Sequence, residues 1–266
     1  MSLDEVENNI EKGELNSPLV DRSLAGFIIP AIDIIGGKCV RLTQGDYTQK
    51  TVYSDNPADM AKAFEDAGIT RLHVVDLDGA KAGTIINLKV LESIATATKL
   101  VIDFGGGVKK ITDVESIFNA GASIVTIGSL AVKQPQVLEE WLMEFGAENF
   151  LIGADVLEEK IKISGWLQDG GINVFDFIGQ MISIGVTNIF CTDIVKDGAM
   201  IGPSVALYKR IMADHPEVHL IASGGVTSVN DLHDLKAIGC KAAIVGKAIY
   251  EGQITLDQIN ALNPNL

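Results

Sequence analysis

The hydrophobic positions of this chain gather into short, nearly continuous runs rich in Val and Ile, separated by stretches in which apolar residues recur at helical spacing. The runs predict strands at 27–33, 71–76, 99–104, 123–127, 149–155, 187–193, 218–222 and 242–245. Amphipathic helices are predicted over most gaps, among them 57–67, 111–120 and 228–238. Strands that are apolar throughout, rather than alternating, suit a parallel sheet covered on its outer face. Eight strand–helix units in this length fit a closed barrel better than an open sheet. The stretch 158–166 delays the fifth helix and is either an extended loop or a small hairpin.

The pattern also repeats. Asp78-Gly79-Ala80 with Gly83 returns as Asp197-Gly198-Ala199 with Gly202, an offset of 119. Gly106-Gly107-Val108 returns as Gly224-Gly225-Val226, and Gly128 as Gly246, both offset by 118. Asp33 and Asp155, which close the first and fifth strands, are offset by 122. Landmarks at nearly one spacing imply internal duplication. The predicted fold is therefore α/β, a (βα)8 TIM barrel built from two similar half-barrels, and a site built by one half has a counterpart in the other.

Composition narrows the possibilities. Residues 1–26 are polar and acidic with no apolar h-region, so no secretory signal is expected, and they are set apart as a poorly ordered extension before a catalytic barrel at 27–266. No run of 18 apolar residues occurs, so no membrane association is expected. Cys39, Cys191 and Cys240 are odd in number and far apart, which argues for a reducing, cytoplasmic setting. A formal charge of −14 disfavours nucleic acid, and it requires any phosphorylated ligand to find a local site that overcomes the global field.

In a parallel barrel the residues just after the strands line the C-terminal mouth, where active sites are built. Here those residues include Asp33, Asp76, Asp78, Asp155, Thr192 and Asp193. Gly105, Gly106, Gly107, Gly128 and Ser129 form one set of turns, and Ser223, Gly224, Gly225, Gly246 and Lys247 form the other. Glycine lets a backbone lie close against an anion, and helices that follow add favourable dipole. Glycine also simply punctuates strand–helix junctions, but two paired sets in symmetric positions favour two phosphate sites on opposite sides of the mouth. Asp33 and Asp155 are either helix caps and loop anchors or an acid–base pair; their symmetry favours the pair. Asp197 competes with Asp155 for the acid's role. Trp166 either belongs to the core or stacks on a flat heterocycle. Dinucleotide and P-loop fingerprints are absent, and Pro216 breaks the spacing of His215 and His219, so no metal or redox cofactor is expected.

At these residues the chain resembles the phosphoribosylformimino-aminoimidazole carboxamide ribotide (ProFAR) isomerases of histidine biosynthesis. The resemblance rests on PAIDIIGGKCVRLTQGDY at 30–47, HVVDLDGAKAG at 73–83, FGGGVKKITDV at 104–114, GADV with a later SGW near 153–166, TDIVKDGAMIG at 192–202, and IASGGVTSVNDL with IVGKAI at 221–249. It implies a bisphosphorylated aminoimidazole ribonucleotide substrate, an Amadori rearrangement, Asp33 as proton acceptor and Asp155 or Asp197 as donor. It further implies that Thr192, Trp166 and Gly198 contact substrate, and that the protein works as a monomer without cofactor. The cyclase subunit of imidazole-glycerol-phosphate synthase shares the repeat, but Arg41-Leu42 with Gln44-Gly45-Asp46, and the SGW motif, favour the isomerase. A dual-substrate isomerase also converting phosphoribosylanthranilate, and a non-catalytic phosphate-binding barrel, remain alternatives.

Overall fold

The computed structural model describes residues 22–43 and 45–262. Eight parallel strands form its centre: β1 (Ile28–Ile35), β2 (Arg71–Asp76), β3 (Val101–Gly105), β4 (Ile124–Ile127), β5 (Phe150–Leu157), β6 (Asn188–Asp193), β7 (His219–Ser223) and β8 (Ala242–Val245). They pair in chain order, and β8 returns to β1 through Ile28↔Ala243 and Pro30↔Val245, which closes the ring. All eight lie within two residues of the strands expected from hydrophobic pattern, and the closed (βα)8 barrel is the architecture that pattern implied.

The apolar residues divide between two cores. Ile29, Ala31, Leu151, Phe190, Ile221, Ala242 and Ile244 fill the inside of the ring. A larger cluster packs between the strands' outer faces and the helices, with Ile32, Leu72, Ile102, Val125, Ile152 and Leu220 on the strand side. Both faces of every strand are thus buried, which is why the runs show no polar alternation. The helices begin where local chemistry permits. At Pro57–Asp66, Pro57 occupies the first turn and the Asn56 side chain accepts from the Ala58 N–H. The short 3₁₀ helix Arg22–Phe27 precedes β1, and Leu24 is buried in the outer core. Of the extension expected at 1–26, residues 1–21 lie outside the described residues.

The backbone shows the internal repeat in detail. Gly121 and Gly239 stand at φ +99° and +103°, and Gly128 and Gly246 share φ and ψ to within a few degrees. Asp113 accepts from the Lys109 and Lys110 N–H groups, and Asp231, 118 residues later, accepts from those of Thr227 and Ser228. Each half also carries an antiparallel hairpin after its first strand: Lys38–Thr43 with Asp46–Ser54, and Lys160–Ile163 with Gln168–Asn173. The second hairpin decides between the two expectations for 158–166. The first was not anticipated from hydrophobic pattern, because its outer strand Asp46–Ser54 is largely exposed and presents no apolar face.

Each hairpin leaves the barrel through a two-residue turn with both residues at positive φ. In the first half these are Gly36 and Gly37, at +60° and +78°; in the second they are Glu158 and Glu159, at +51° and +64°. Such turns suit Asn and Gly, whereas a glutamate Cβ is strained there. Glu158 is exposed and Glu159 pairs with Arg210, so of these two strained positions Glu158 can be replaced without losing that ion pair. Glu158→Asn is expected to stabilise the protein by about 0.5–1 kcal/mol, seen as a higher urea midpoint at unchanged m-value.

Candidate active site

Asp33 and Asp155 stand four strands apart at the C-terminal end of the ring, so they face each other across the mouth. Ladder register places Asp33 beside Val75 and Asp155 beside Thr192. Arg41, from the first hairpin, reaches inward to donate to Asp33 Oδ2 at 2.9 Å and stands 3.6 Å from Asp197 Oδ1. Its side chain is only 11% exposed, and its Nε is buried without a partner among the described residues. A charge so desolvated is stable only beside opposite charge, and the two aspartates supply it. Burial opposes the guanidinium's charge, but Asp33 and Asp197 more than compensate and raise its pKa further.

The carboxylates differ in surroundings. Burial pushes Asp33 above the ordinary aspartate range; Arg41 pulls it back and Asp197 pushes it up again. Burial likewise raises Asp155, against hydrogen bonds from Trp166 and Thr192. Asp78, the counterpart of Asp197 in the repeat, holds the scaffold together, with its Oδ2 accepting from the Gly36 N–H at 2.7 Å and from Asn87 Nδ2 at 2.9 Å. Asp76 caps its own loop through the Gly79, Ile86 and Asn87 N–H groups. The duplicated loops have therefore diverged, and Asp197 alone of that pair is linked to the mouth through Arg41.

The two glycine sets are each brought together on neighbouring strands and lie on opposite sides of the mouth. Gly105 pairs with Thr126 between β3 and β4, and Ser223 with Ile244 between β7 and β8. Close packing explains part of their composition. A Cβ on Gly107 would meet the Thr84 carbonyl oxygen at 2.6 Å, and one on Gly225 would fall closer still to the Gly202 oxygen. Gly128, in contrast, is exposed, with nothing within 4 Å of such a Cβ. Ser129 Oγ accepts from the Ser164 N–H at 2.8 Å, and Lys247 Nζ donates to the Gly198 carbonyl at 3.0 Å. The guanidinium of Arg41 lies against Gly246, 2.5 Å from where a Cβ would be. Trp166, at φ +70°, belongs to the second hairpin's turn, and its ring packs over Gly45 of the first. The two hairpins thus meet across the mouth.

Three polar residues went unrecognised as site residues in the sequence. In the sequence Arg41 lies outside the eight predicted strands, where an exposed arginine is the ordinary expectation. His73 and Asp103 are inward-facing members of β2 and β3, one full strand repeat below the mouth, and only their polarity within apolar runs marks them. Among the described residues no group of His, Cys, Asp and Glu has an arrangement that would hold a metal ion.

A family model described as histidine biosynthesis protein matches residues 27–255. A 1-(5-phosphoribosyl)-5-((5-phosphoribosylamino)methylideneamino)imidazole-4-carboxamide isomerase from Parabacteroides distasonis is 52% identical over 232 residues, covering 87% of this chain and 97% of its own length. Proteins of the same name from Flavobacterium johnsoniae and Cytophaga hutchinsonii are 51% and 50% identical, covering 87% and 89% of this chain and 97% and 98% of their own.

Packing around the glycine turns yields a direct test. Gly225 and Gly252 both have positive φ, at +84° and +71°, but nothing lies within 4 Å of a Cβ at Gly252. Gly252→Ala is expected to cost about 1 kcal/mol, from conformation alone. Gly225→Ala is expected to cost at least about 2–3 kcal/mol in urea unfolding, because the loops must also part.

Proposed function

The chain belongs to the histidine biosynthesis protein family, and from that membership we propose that it is the isomerase converting ProFAR to its ribulosyl isomer. The observation that carries this reading is the mouth itself: two glycine-lined sites on opposite sides, with Asp33 and Asp155 facing each other between them. A substrate with a phosphate at each end spans that distance, and its two anions meet backbone N–H groups instead of the chain's negative field. Gly105, Gly106, Gly107, Gly128 and Ser129 hold one phosphate; Ser223, Gly224, Gly225, Gly246 and Lys247 hold the other.

Chemistry then needs one acid and one base. The acid, Asp155 or Asp197, protonates the ribosyl ring oxygen, and the ring opens to a Schiff base. Asp33, as carboxylate, removes the C2 proton, and the enolamine tautomerises to the aminoketose. Burial raises both aspartates; Arg41 opposes that shift at Asp33 and supports its charged form as base, while burial at Asp155 supports the neutral form of an acid. Asp197 shares Arg41 with Asp33 and would act as acid only after that contact loosens. Thr192 orients Asp155, and Trp166 stacks on the imidazole. Gripping both phosphates fixes the opened, flexible sugar in a reactive geometry.

Both aspartates and both glycine sites come from one chain, which supports action as a monomer. The three cysteines are buried and unbridged, in keeping with a reducing compartment such as the cytosol.

The test is turnover of purified protein with ProFAR, with phosphoribosylanthranilate assayed in parallel. Asp33→Asn is expected to lower kcat by about 10³-fold with little change in KM. Comparable losses for Asp155→Asn, with a smaller one for Asp197→Asn, would identify the acid. Turnover of phosphoribosylanthranilate would establish a dual-substrate enzyme, and no turnover of either would replace the isomerase with a binding barrel. Because burial raises Asp33, the acid limb of kcat/KM is expected above the ordinary aspartate pKa: lowering pH protonates the base and activity is lost.

A further inference from the structure

Beneath the mouth the barrel holds a second polar cluster that the proposed reaction does not use. His73 of β2 and Asp103 of β3 are adjacent in the ladder and 5% and 1% exposed. His73 Nδ1 is in contact with Asp103 Oδ1, which also accepts from Thr126 Oγ1 of β4 at 2.9 Å. Phe190 of β6 presents its ring edge-on to the imidazole, with centroids 5.3 Å apart. Asp103 Oδ2 is buried without a partner among the described residues. A carboxylate left half-satisfied in an apolar ring is costly unless a cation neutralises it, and His73 is the cation within reach.

The charged groups that face His73 are Asp103 from β3, Asp33 from β1 and Asp155 from β5. Thr126 and Phe190 add a hydroxyl and a ring but no charge. Burial works against the imidazolium, but the three carboxylates outweigh it and raise the His73 pKa. In return, His73 lowers both Asp33 and Asp155. His73 pairs with Ala31, two residues before Asp33 on the neighbouring strand, which sets the imidazole one layer beneath that carboxylate.

We propose that Asp103 and Thr126 hold His73 as an imidazolium beneath the mouth, where its fixed positive charge is a positioning element for Asp33 and Asp155. This deepens the isomerase reading and rests on it. His73 touches no reacting atom and transfers no proton. Its charge, together with that of Arg41, offsets four carboxylates gathered in one end of the barrel. Without it Asp33 keeps its proton to higher pH and fewer molecules hold the base in its ionised form.

The experiment has two arms. In the first, protein labelled with ¹⁵N in histidine is followed by NMR from pH 6 to 9 without substrate, and the His73 signal is assigned by its loss in His73→Asn. Both His73 ring nitrogens are expected to remain protonated at pH 8, where an ordinary histidine of pKa about 6.5 is neutral. A neutral His73 at pH 7.5 overturns the proposal. In the second arm, His73→Asn, which deletes the positive charge and leaves Asp103 in place, is assayed across pH. It is expected to move the acid limb of kcat/KM upward by about one pH unit, so activity falls about tenfold below the limb and recovers toward wild type at high pH, with KM little changed. A pH-independent loss, or an unmoved limb in the folded variant, reduces the cluster to packing and also overturns the proposal. Wild-type protein that turns over no substrate refutes the isomerase reading, while the nitrogen spectra still decide the charge of His73.

Discussion

Placing carboxylates on the inside of a closed, apolar ring is the constraint to which most of this structure answers. Asp33 and Asp155 face each other across the mouth, yet an isolated buried carboxylate is unstable. Arg41 is therefore brought in from a hairpin rather than from the barrel, and Thr192 and Trp166 attend Asp155. His73 and Asp103 extend the same compensation one layer down. The barrel supplies position, while the hairpins supply charge and cover. The division explains why a loop with few apolar residues is held firmly, through the Asp78 bond to Gly36 and the Tyr47 bond to the Leu77 carbonyl.

The strands were legible because both faces are buried, so each is a nearly continuous apolar run with few polar members, from Ile28–Ile35 through Ala242–Val245. The repeat was legible because several of its glycines, among them Gly107 and Gly225, lie where a Cβ would collide with the backbone of a neighbouring loop. What escaped obeys other rules. The hairpin Lys38–Thr43 with Asp46–Ser54 is held by its turn and by contacts to distant loops, which leave no periodic trace. Arg41 draws its significance from Asp197, which is remote in sequence, and His73 draws its own from Asp103 on the next strand. Partnerships between strands are created by the fold and have no local signature.

Two copies of one plan have been put to different uses. Gly36-Gly37 and Glu158-Glu159 make the same turn with different chemistry, and Asp78 and Asp197 occupy the same loop position with different duties. One loop became scaffold and the other faces Arg41 at the mouth. Symmetry thus survives in the backbone, and function is distributed by the side chains that depart from it.

Closure of the ring has a mechanical meaning as well. A strand at an open edge can slide past its neighbour and find a new partner. Here β1 is gripped by β2 on one side and β8 on the other, and β5 by β4 and β6. A shift of one residue would carry Asp33 about 3.3 Å along the axis and turn it outward into the helices. No strand can make that shift without its neighbours, so the eight mesh like the teeth of a closed gear. The alignment of Asp33 against Asp155 is thereby a property of the whole circumference, and an error at any seam would be felt at the centre.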